Sequence, residues 1–204
     1  MPNAWVKNRK REHYYRKAKK EKFRSRASYK LLQAVKKHSF IKLGYVVVDL
    51  GAAPGGWTQA ARKLVGDSGF VLAVDLKLIE PVDAPNVRTI IGDVAEPQTI
   101  QNILEFLPRS ADVVVSDVSP NVSGIWELDH ARQIDLASQS LRIATSILRS
   151  GGNFFVKVFQ GRTTNKFIDE VKQHFSFVKR VKPKASRSKS AELYVLGMNF
   201  RKKA

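Results

Sequence analysis

The fold of this chain is decided by the stretch Val46-Val47-Val48-Asp49-Leu50-Gly51-Ala52-Ala53-Pro54-Gly55-Gly56-Trp57-Thr58. A run of β-branched residues stops at Asp49, a turn of small residues follows, and helical spacing begins at Trp57. This order predicts a buried parallel strand, a tight turn and a helix. The three glycines of the turn have no Cβ, so the backbone there can approach a ligand closely. Open α/β sheets bind their ligands at this edge.

Two common glycine-rich phosphate loops do not fit this turn. A P-loop ends in Gly-Lys-Ser/Thr, whereas Trp57 follows the last two glycines here. The dinucleotide fingerprint Gly-x-Gly-x-x-Gly is absent as well. An anionic Asp49 would repel a pyrophosphate but suits a ligand with positive charge. The turn therefore favours S-adenosylmethionine, whose amino group and sulfonium are cationic, and an ordinary βα turn without a ligand is the alternative.

Three more predicted strands deliver acids to the same edge of the sheet. These acids are Asp75 at the end of the run 70–75, Asp93 shortly after 87–91 and Asp117 at the end of 111–117. Asp75 follows Gly51 by 24 residues, near the ~20-residue offset at which an acid binds the hydroxyls of a ribose. Asp93 is placed to accept a hydrogen bond from an adenine amino group. A helix cap or a solvent-facing carboxylate is the alternative for Asp75.

The rest of the chain alternates predicted helices and strands and ends in a hairpin. Helices are predicted from Ser25, over 57–65, 98–106, 128–148 (terminated by Gly151-Gly152) and 165–174, and further strands over 153–159, 175–182 and 191–200. Lys157 lies in the middle of the apolar strand 153–159. A lysine in a buried strand must reach the surface, pair with an acid or lose its proton. Lys157 is therefore a candidate functional residue, with an edge lysine as the alternative.

The charge of the chain points to a polyanionic partner. Its 204 residues include 36 Lys and Arg against 18 Asp and Glu, a net charge of +18. No lipid anchor or apolar run of ~18 residues is visible, which favours nucleic acid over a membrane. Residues 1–24 are especially basic and include Tyr14 and Tyr15. We predict that they form an RNA-binding arm, and a solvated, mobile tail is the alternative.

Several classes of protein are disfavoured by what the sequence lacks. Without cysteine it has no disulfides or thiolate metal sites, which fits an intracellular protein. The four histidines are scattered without metal-ligand spacing, so no metal is expected. The start of the chain has no signal-peptide core. Methyltransferases that act on base amino groups hold the base with two prolines and an aromatic residue, whereas Ser119-Pro120-Asn121-Val122 has one proline and a valine.

Five motifs together suggest a family. They are Arg24-Ser25-Arg26-Ala27-Ser28-Tyr29-Lys30-Leu31, Asp49-Leu50-Gly51-Ala52-Ala53-Pro54-Gly55-Gly56-Trp57, Ser116-Asp117-Val118-Ser119-Pro120-Asn121, Val156-Lys157-Val158-Phe159-Gln160-Gly161, and Ser186-Arg187-Ser188 leading to Glu192. On these motifs the chain, from Arg24 to Gly197, resembles the FtsJ-like (RlmE-type) ribosomal RNA 2′-O-ribose methyltransferases.

This resemblance implies a fold and a set of site residues. The fold is the α/β, Rossmann-like fold of class I S-adenosylmethionine-dependent methyltransferases, a mostly parallel seven-stranded sheet with a C-terminal antiparallel hairpin. The Lys-Asp-Lys-Glu tetrad of the family falls on Lys30, Asp117, Lys157 and Glu192. Cofactor contacts fall on Gly55, Trp57, Asp75, Asp93 and Asp117, to which the properties of the turn add Asp49, Gly51 and Gly56.

The resemblance also implies an activity, methyl transfer from S-adenosylmethionine to a ribose 2′-hydroxyl in RNA. The implied target is a uridine of large-subunit ribosomal RNA, either in free RNA or in the assembled subunit. The protein itself is expected to be a monomer in the cytoplasm. The alternatives are a tRNA or mRNA-cap 2′-O-methyltransferase, or a non-catalytic RNA-binding factor for ribosome assembly on the same fold. We divide the chain into a basic arm, residues 1–24, and a methyltransferase domain, residues 25–204.

The tetrad suits this chemistry, because the enzyme must align the donated methyl with a weakly acidic hydroxyl and assist loss of its proton. We expect Lys157 to orient and deprotonate the hydroxyl, or to stabilise the developing alkoxide if the lysine stays charged. Asp117 would orient Lys157 beside the methyl donor, while Lys30 and Glu192 would position the ribose. Burial and the cation of Lys30 favour the neutral amine of Lys157, and the two carboxylates favour the ammonium, so both forms stay open.

Overall fold

One seven-stranded sheet organises the computed structural model, which describes residues 13–187 and 190–202. The helices are α1 (His13–Lys20), α2 (Ser28–His38), α3 (Gly56–Val65), α4 (Gln98–Phe106), α5 (Trp126–Ile147) and α6 (Thr164–His174). The strands are β1 (Val46–Leu50), β2 (Phe70–Asp75), β3 (Val87–Ile91), β4 (Ala111–Ser116), β5 (Leu148–Phe159), β6 (Phe175–Val181) and β7 (Glu192–Phe200).

The strands lie in the order β3-β2-β1-β4-β5-β7-β6. Strands β1 to β5 pair in parallel, and β7 is antiparallel to both β5 and β6. This confirms the predicted sheet with its C-terminal hairpin. The sequence order reverses between β1 and β4, so the loops after these two strands diverge and leave a crevice at their carboxyl ends.

The central strands are apolar because helices cover both faces of the sheet. Every residue of β1 and of β4 is buried. One face packs against α4, α5 and α6, through residues such as Ile103, Leu141 and Phe167. The other packs against α2 and α3, through residues such as Leu31 and Trp57. Continuous Val-rich runs are typical of strands buried on both faces.

One predicted boundary is wrong: Gly151-Gly152 do not terminate the helix before them. Helix α5 ends at Ile147, and β5 begins at Leu148, which pairs with Ala111 of β4. The register between the two strands shifts between Ala111 and Val113, and a Cβ on Gly152 would lie 3.1 Å from the main-chain oxygen of Asp112. The glycines thus serve a close approach of two strands, and strand pairing takes the hydrogen bonds that a longer helix would have used.

The predicted basic arm is partly folded onto the domain. Residues 1–12 lie outside the described part of the chain, but α1 packs against α2 with Ala18 buried. The ring of Tyr14 lies 5.5 Å from the ring of Tyr29, and its hydroxyl accepts a hydrogen bond from Gln33 Nε2 at 2.9 Å. Tyr14 is therefore engaged with α2, and the base-stacking role predicted for it would require these contacts to break.

Candidate active site

A cavity of about 530 Å³ opens at the carboxyl ends of the parallel strands. Its lining includes Gly51, Asp75, Asp93, Asp117, Pro120 and Leu136. A second cavity of about 90 Å³ is lined by Gly56 and Trp57 among others, and it shares Gly51 and Asp117 with the first. The two cavities therefore meet at the ends of β1 and β4, where the sequence predicted a binding site.

The turn after β1 needs glycine at its first position. Gly51 has φ of +72°, and a Cβ built on it would lie 2.5 Å from Val118 Cγ2 and 2.9 Å from Val118 Cα. The main-chain NH of Asp117 donates to the oxygen of Leu50 at 3.3 Å. The loops after β1 and β4 thus touch backbone to backbone, which fixes where Asp117 enters the cavity.

Asp49 differs from its prediction as an anion at the edge of the sheet. It is fully buried, and Thr58 Oγ1 donates a hydrogen bond to its Oδ2 at 2.8 Å. Burial raises the pKa of Asp49 to about 8, despite the hydrogen bond from Thr58, so the neutral acid is favoured near pH 7. Its buried Oδ1 has no hydrogen-bond partner in the protein. Asp49 therefore lies beneath the turn as a buried acid with one oxygen that makes no hydrogen bond.

Asp75 and Asp93 lie on the wall of the large cavity and are held there by their own loops. The main-chain NH groups of Ala53 and Lys77 donate to the two oxygens of Asp75, at 2.9 and 2.8 Å. That of Ala95 donates to Asp93 Oδ1 at 2.9 Å. Each carboxylate keeps acceptor capacity toward the cavity, because a carboxylate has about four lone-pair sites.

The remaining predicted cofactor residues divide between the smaller cavity and the protein interior. A Cβ on Gly55 would lie 2.7 Å from Arg24 Nη1, and one on Gly56 would lie 2.7 Å from Ser25 Cβ, so both glycines admit the segment before α2. The indole of Trp57 donates to the oxygen of Ala27 at 2.8 Å and is 97% buried. The ring of Trp57 thus joins α2 to α3 as well as bordering the small cavity.

The four tetrad residues come from α2, the loop after β4, β5 and β7, and they meet beside Asp117. Nζ of Lys157 donates to the main-chain oxygen of Asp117 at 2.7 Å and lies 3.3 Å from its Oδ1. Nζ of Lys30 donates to Glu192 Oε2 at 2.6 Å, and Ser186 Oγ donates to Glu192 Oε1 at 2.8 Å. Two lysines and two carboxylates that are far apart in sequence are thereby brought together.

A tyrosine connects the two ion pairs. The hydroxyl of Tyr194 donates to Asp117 Oδ1 at 2.8 Å, and Nζ of Lys30 lies 5.8 Å from the centre of the Tyr194 ring. Burial, reinforced by the charges of Asp117 and Glu192, holds the pKa of Tyr194 well above its usual value. Tyr194 is therefore a neutral donor, packed on Phe155 with ring centres 4.8 Å apart.

Asp117 is partly buried, yet its ionised form is favoured. Burial alone would raise the pKa of Asp117, but the charges of Lys157 and Lys30 and the hydrogen bond from Tyr194 outweigh it and lower the pKa. A stable anion at this point gives Lys157 a fixed partner next to both cavities.

Sequence reasoning missed Tyr194 and Gln133. Tyr194 lies two residues after Glu192 on the same face of β7, so strand alternation is a signal that would have found it. Gln133 is buried, and its Nε2 donates at 3.1 Å to the main-chain oxygens of both Val118 and Lys157. It ties the loop after β4 to β5, a role with no local signal in the sequence.

Residues 13–187 and 190–202 contain no group of three or more metal-ligating side chains placed to hold an ion. The helices within these ranges are too short or too polar to cross a membrane.

A family model described as FtsJ-like methyltransferase matches residues 23–200. The Ribosomal RNA large subunit methyltransferase E of Methanothermobacter thermautotrophicus is 48% identical over 203 residues, which cover 100% of this chain and 96% of that protein. The protein of the same name from Methanocaldococcus jannaschii is 48% identical over 199 residues, covering 96% of this chain and 81% of the relative.

Solved structures give the same picture of the fold. A Plasmodium falciparum protein described as a ribosomal RNA methyltransferase superposes with a TM-score of 0.77 at 27% identity, covering 87% of this chain and 98% of that one. Aeropyrum pernix fibrillarin, solved with natively bound S-adenosyl-L-methionine, has a TM-score of 0.60 at 16% identity, covering 86% and 75%.

Proposed function

Because this chain belongs to the FtsJ-like methyltransferase family, we propose that it transfers a methyl group from S-adenosylmethionine to a ribose 2′-hydroxyl of large-subunit ribosomal RNA. The observation that carries this proposal is the convergence of Lys30, Asp117, Lys157 and Glu192 where the two cavities meet. An RNA-binding protein without catalytic function would need no buried lysine held against a carboxylate at that point.

The large cavity fits S-adenosylmethionine. Its volume of about 530 Å³ lies within the range of small-molecule sites, roughly 300–1,000 Å³. Asp75 is positioned as an acceptor for ribose hydroxyls and Asp93 for an amino group, while Asp117 is an anion suited to a cationic end. The buried Oδ1 of Asp49 beneath the turn is a further polar atom without a hydrogen-bond partner in the protein. When bound, this cofactor supplies a methyl group on a sulfonium, which is open to attack by an oxygen.

The residues of the chain would then act on the ribose. Lys157 binds the 2′-hydroxyl through Nζ, and it either accepts its proton or, as an ammonium, stabilises the negative charge that develops on the oxygen. Asp117 holds this nitrogen through its main-chain and side-chain oxygens. Lys30, anchored by Glu192, adds positive charge near the ribose and its phosphate. In-line geometry and a fixed lysine are the main contributions of the protein.

The partner is RNA. A net charge of +18 favours a polyanion, and neutralised phosphates would account for most of the affinity. We further propose a uridine as the target nucleotide and a monomer acting in the cytoplasm as the working form of the protein.

Methyl transfer is tested directly with labelled S-adenosylmethionine and, in separate reactions, ribosomal particles and tRNA from cells that lack this protein. We expect label in large-subunit RNA at a single 2′-O-methylated uridine, mapped by the resistance of the adjoining bond to alkaline hydrolysis. Label in tRNA instead would assign the chain a different substrate. RNA binding without any label would identify a non-catalytic factor and overturn the proposal.

A further inference from the structure

An exposed apolar segment lies next to the tetrad and has no role in the proposed chemistry. It begins five residues after Asp117 and consists of Val122, Ile125, Trp126 and Leu128, which are 69%, 60%, 45% and 38% exposed. These residues span the end of the loop after β4 and the first turn of α5. A cluster of exposed apolar side chains at the rim of a site indicates a surface that binds something.

This segment is held in place by a buried carboxylate. Asp129 is 3% exposed and accepts hydrogen bonds from the main-chain NH and the hydroxyl of Ser123, both at 2.7 Å, and from the NH of Gly124 at 3.1 Å. These bonds fix the main chain just before α5. Trp126, the first residue of that helix, is therefore held in a defined position. A surface organised in advance binds its partner with a smaller loss of entropy.

Trp126 is continuous with the tetrad through Phe159. The indole stacks on Phe159, with ring centres 6.1 Å apart and planes inclined by 24°. Phe159 pairs directly with Glu192 across β5 and β7, and Lys157 pairs with Tyr194 in the same way. Residues opposite each other in an antiparallel pair have adjacent side chains on one face of the sheet. Trp126 therefore lies beside the tetrad on the side of Glu192, with Phe159 between them.

A second ring supports the indole from one turn further along α5. The imidazole of His130 stacks on Trp126 with ring centres 6.0 Å apart and planes inclined by 17°. His130 is 5% exposed, and its Nε2 lies 2.9 Å from the hydroxyl of Thr163. Trp126 is thus partly packed on two rings and still 45% exposed, which is the arrangement of a rigid stacking platform.

We propose that a base of the substrate RNA, belonging to the methylated nucleotide or to one next to it, stacks on Trp126. This inference rests on the proposed function, because the tetrad places the ribose beside this surface. Proteins read single-stranded RNA largely by stacking splayed bases on aromatic side chains. The charge of +18 and the direct continuity with Glu192 favour an RNA base over an apolar protein segment as the occupant.

The proposal is tested by a cycle that removes the indole and the base separately. Trp126→Ala and Trp126→Phe are compared with wild type on a minimal RNA, on RNAs with an abasic ribose at the target nucleotide or at either neighbour, and on assembled ribosomal particles. Both equilibrium RNA binding and methyl transfer are measured. Phe177→Ala is the matched control, because Phe177 is 50% exposed on β6 and pairs with Met198, at the end of β7 remote from Glu192.

We expect Trp126→Ala to weaken RNA binding about 5- to 150-fold, the range for loss of one stacked base, and to leave affinity for S-adenosylmethionine unchanged. Trp126→Phe should retain most of the binding. The penalty of Trp126→Ala should disappear on one of the abasic RNAs, because the base that it would stack is already missing. A merely structural role for the indole would give the same penalty on every RNA.

Three results would overturn the proposal: Trp126→Ala behaving like Phe177→Ala, an equal penalty on all the RNAs, or a loss seen only with assembled ribosomal particles. The last result would identify a protein contact. Absence of methyl transfer by the wild-type protein would instead contradict the proposed function, while the binding cycle would still decide whether Trp126 stacks a base.

Discussion

Nζ of Lys157 lies 2.7 Å from the main-chain oxygen of Asp117 and 3.3 Å from its Oδ1, so one residue holds this lysine at two points. The second of these oxygens also accepts a hydrogen bond from Tyr194 at 2.8 Å. The lysine is thereby held in one orientation at the junction of the two cavities.

Replacing Lys157 by alanine should reduce kcat about 10²- to 10⁴-fold, the usual contribution of a positioned acid or base. Affinity for S-adenosylmethionine should change little, because Lys157 contacts Asp117 and is absent from the lining of the large cavity. The measurements are single-turnover methyl transfer and calorimetric binding of the cofactor. Lys157→Arg separates the two roles, since arginine cannot act as a base and can still stabilise an alkoxide.

The control for Lys157 is Lys172→Ala, which removes an exposed lysine paired with Asp169. It should leave methyl transfer unchanged. Wild-type turnover in Lys157→Ala would remove this residue from the reaction.

The Lys30–Glu192 pair should show strong coupling. Both side chains are nearly buried, at 10% and 13% exposed, so Lys30→Ala or Glu192→Ala leaves the other charge without its partner. Each single change should lower the free energy of unfolding by up to about 3–5 kcal/mol. The double variant should lose less than the sum of the two, as measured by urea unfolding.

The control for this double-mutant cycle is the exposed ion pair of Lys172 with Asp169, whose side chains are 58% and 67% exposed. Their coupling should be about 0–1 kcal/mol. Additive losses for Lys30 and Glu192 would mean that the contact between them contributes nothing.

Asp49 should make the protein less stable as the pH rises. Burial raises its pKa to about 8 in the folded chain, against ~3.9 in an unfolded one, so between these values the folded state binds an extra proton. The stability that the protonated Asp49 gives the folded state is fully present below about pH 4. It declines as the pH rises from there and is lost once the pH has passed about 8. Asp49→Asn keeps an acceptor for Thr58 and should flatten the decline in unfolding free energy, measured without cofactor between about pH 5 and 9.

Asp83→Asn is the control for Asp49, because Asp83 is exposed. Its profile should follow that of the wild type. If Asp49→Asn did so too, Asp49 would be ionised in the folded protein at neutral pH.

Gly51→Ala should disturb the site in two ways, by steric overlap with Val118 and by backbone strain at a positive φ. Its Cβ would overlap Val118 and push on the loop that carries Asp117. Gly124→Ala is the control, because Gly124 also has a positive φ, +87°, but a Cβ there would meet no atom within 4 Å. Both changes should cost about 1–3 kcal/mol of stability through the backbone.

Only Gly51→Ala should in addition weaken binding of S-adenosylmethionine, measured by calorimetry. Equal cofactor affinity in the two variants would show that the contact between the loops is not needed for the cavity.

Truncation should separate the charge of the N-terminal segment from its packing. Deleting residues 2–12 removes Lys7, Arg9, Lys10 and Arg11 and should reduce the slope of log K for RNA against log salt by up to about 3. Deleting residues 2–22 also removes α1 and uncovers Tyr29, so it should lower the melting temperature as well. An unchanged salt slope after the shorter deletion would exclude phosphate contacts by those residues.

Much of the fold could be predicted from the sequence because its signals are local. The helix over 98–106 and the strands over 70–75 and 87–91 have the predicted bounds, since side-chain periodicity and nearby breakers determine such elements. The boundary near Gly151-Gly152 could not be predicted from the sequence, because whether residues 148–152 end a helix or begin a strand depended on pairing with β4. The chemical state of Asp49 was likewise hidden, since its burial comes from α3 and the neighbouring strands.

The sequence by itself determined the alternation of strands and helices, the acids at the strand ends and the excess of positive charge, all of which depend on residues close together in the chain. Its resemblance to a family supplied the roles proposed for Lys30 and Glu192, which no local pattern would have joined. Only the tertiary structure decided that Lys30 meets Glu192 across 162 positions, that Tyr194 and Gln133 brace the site, and that Trp126 borders it. Such contacts depend on strand order and register, which are set by packing of the whole sheet.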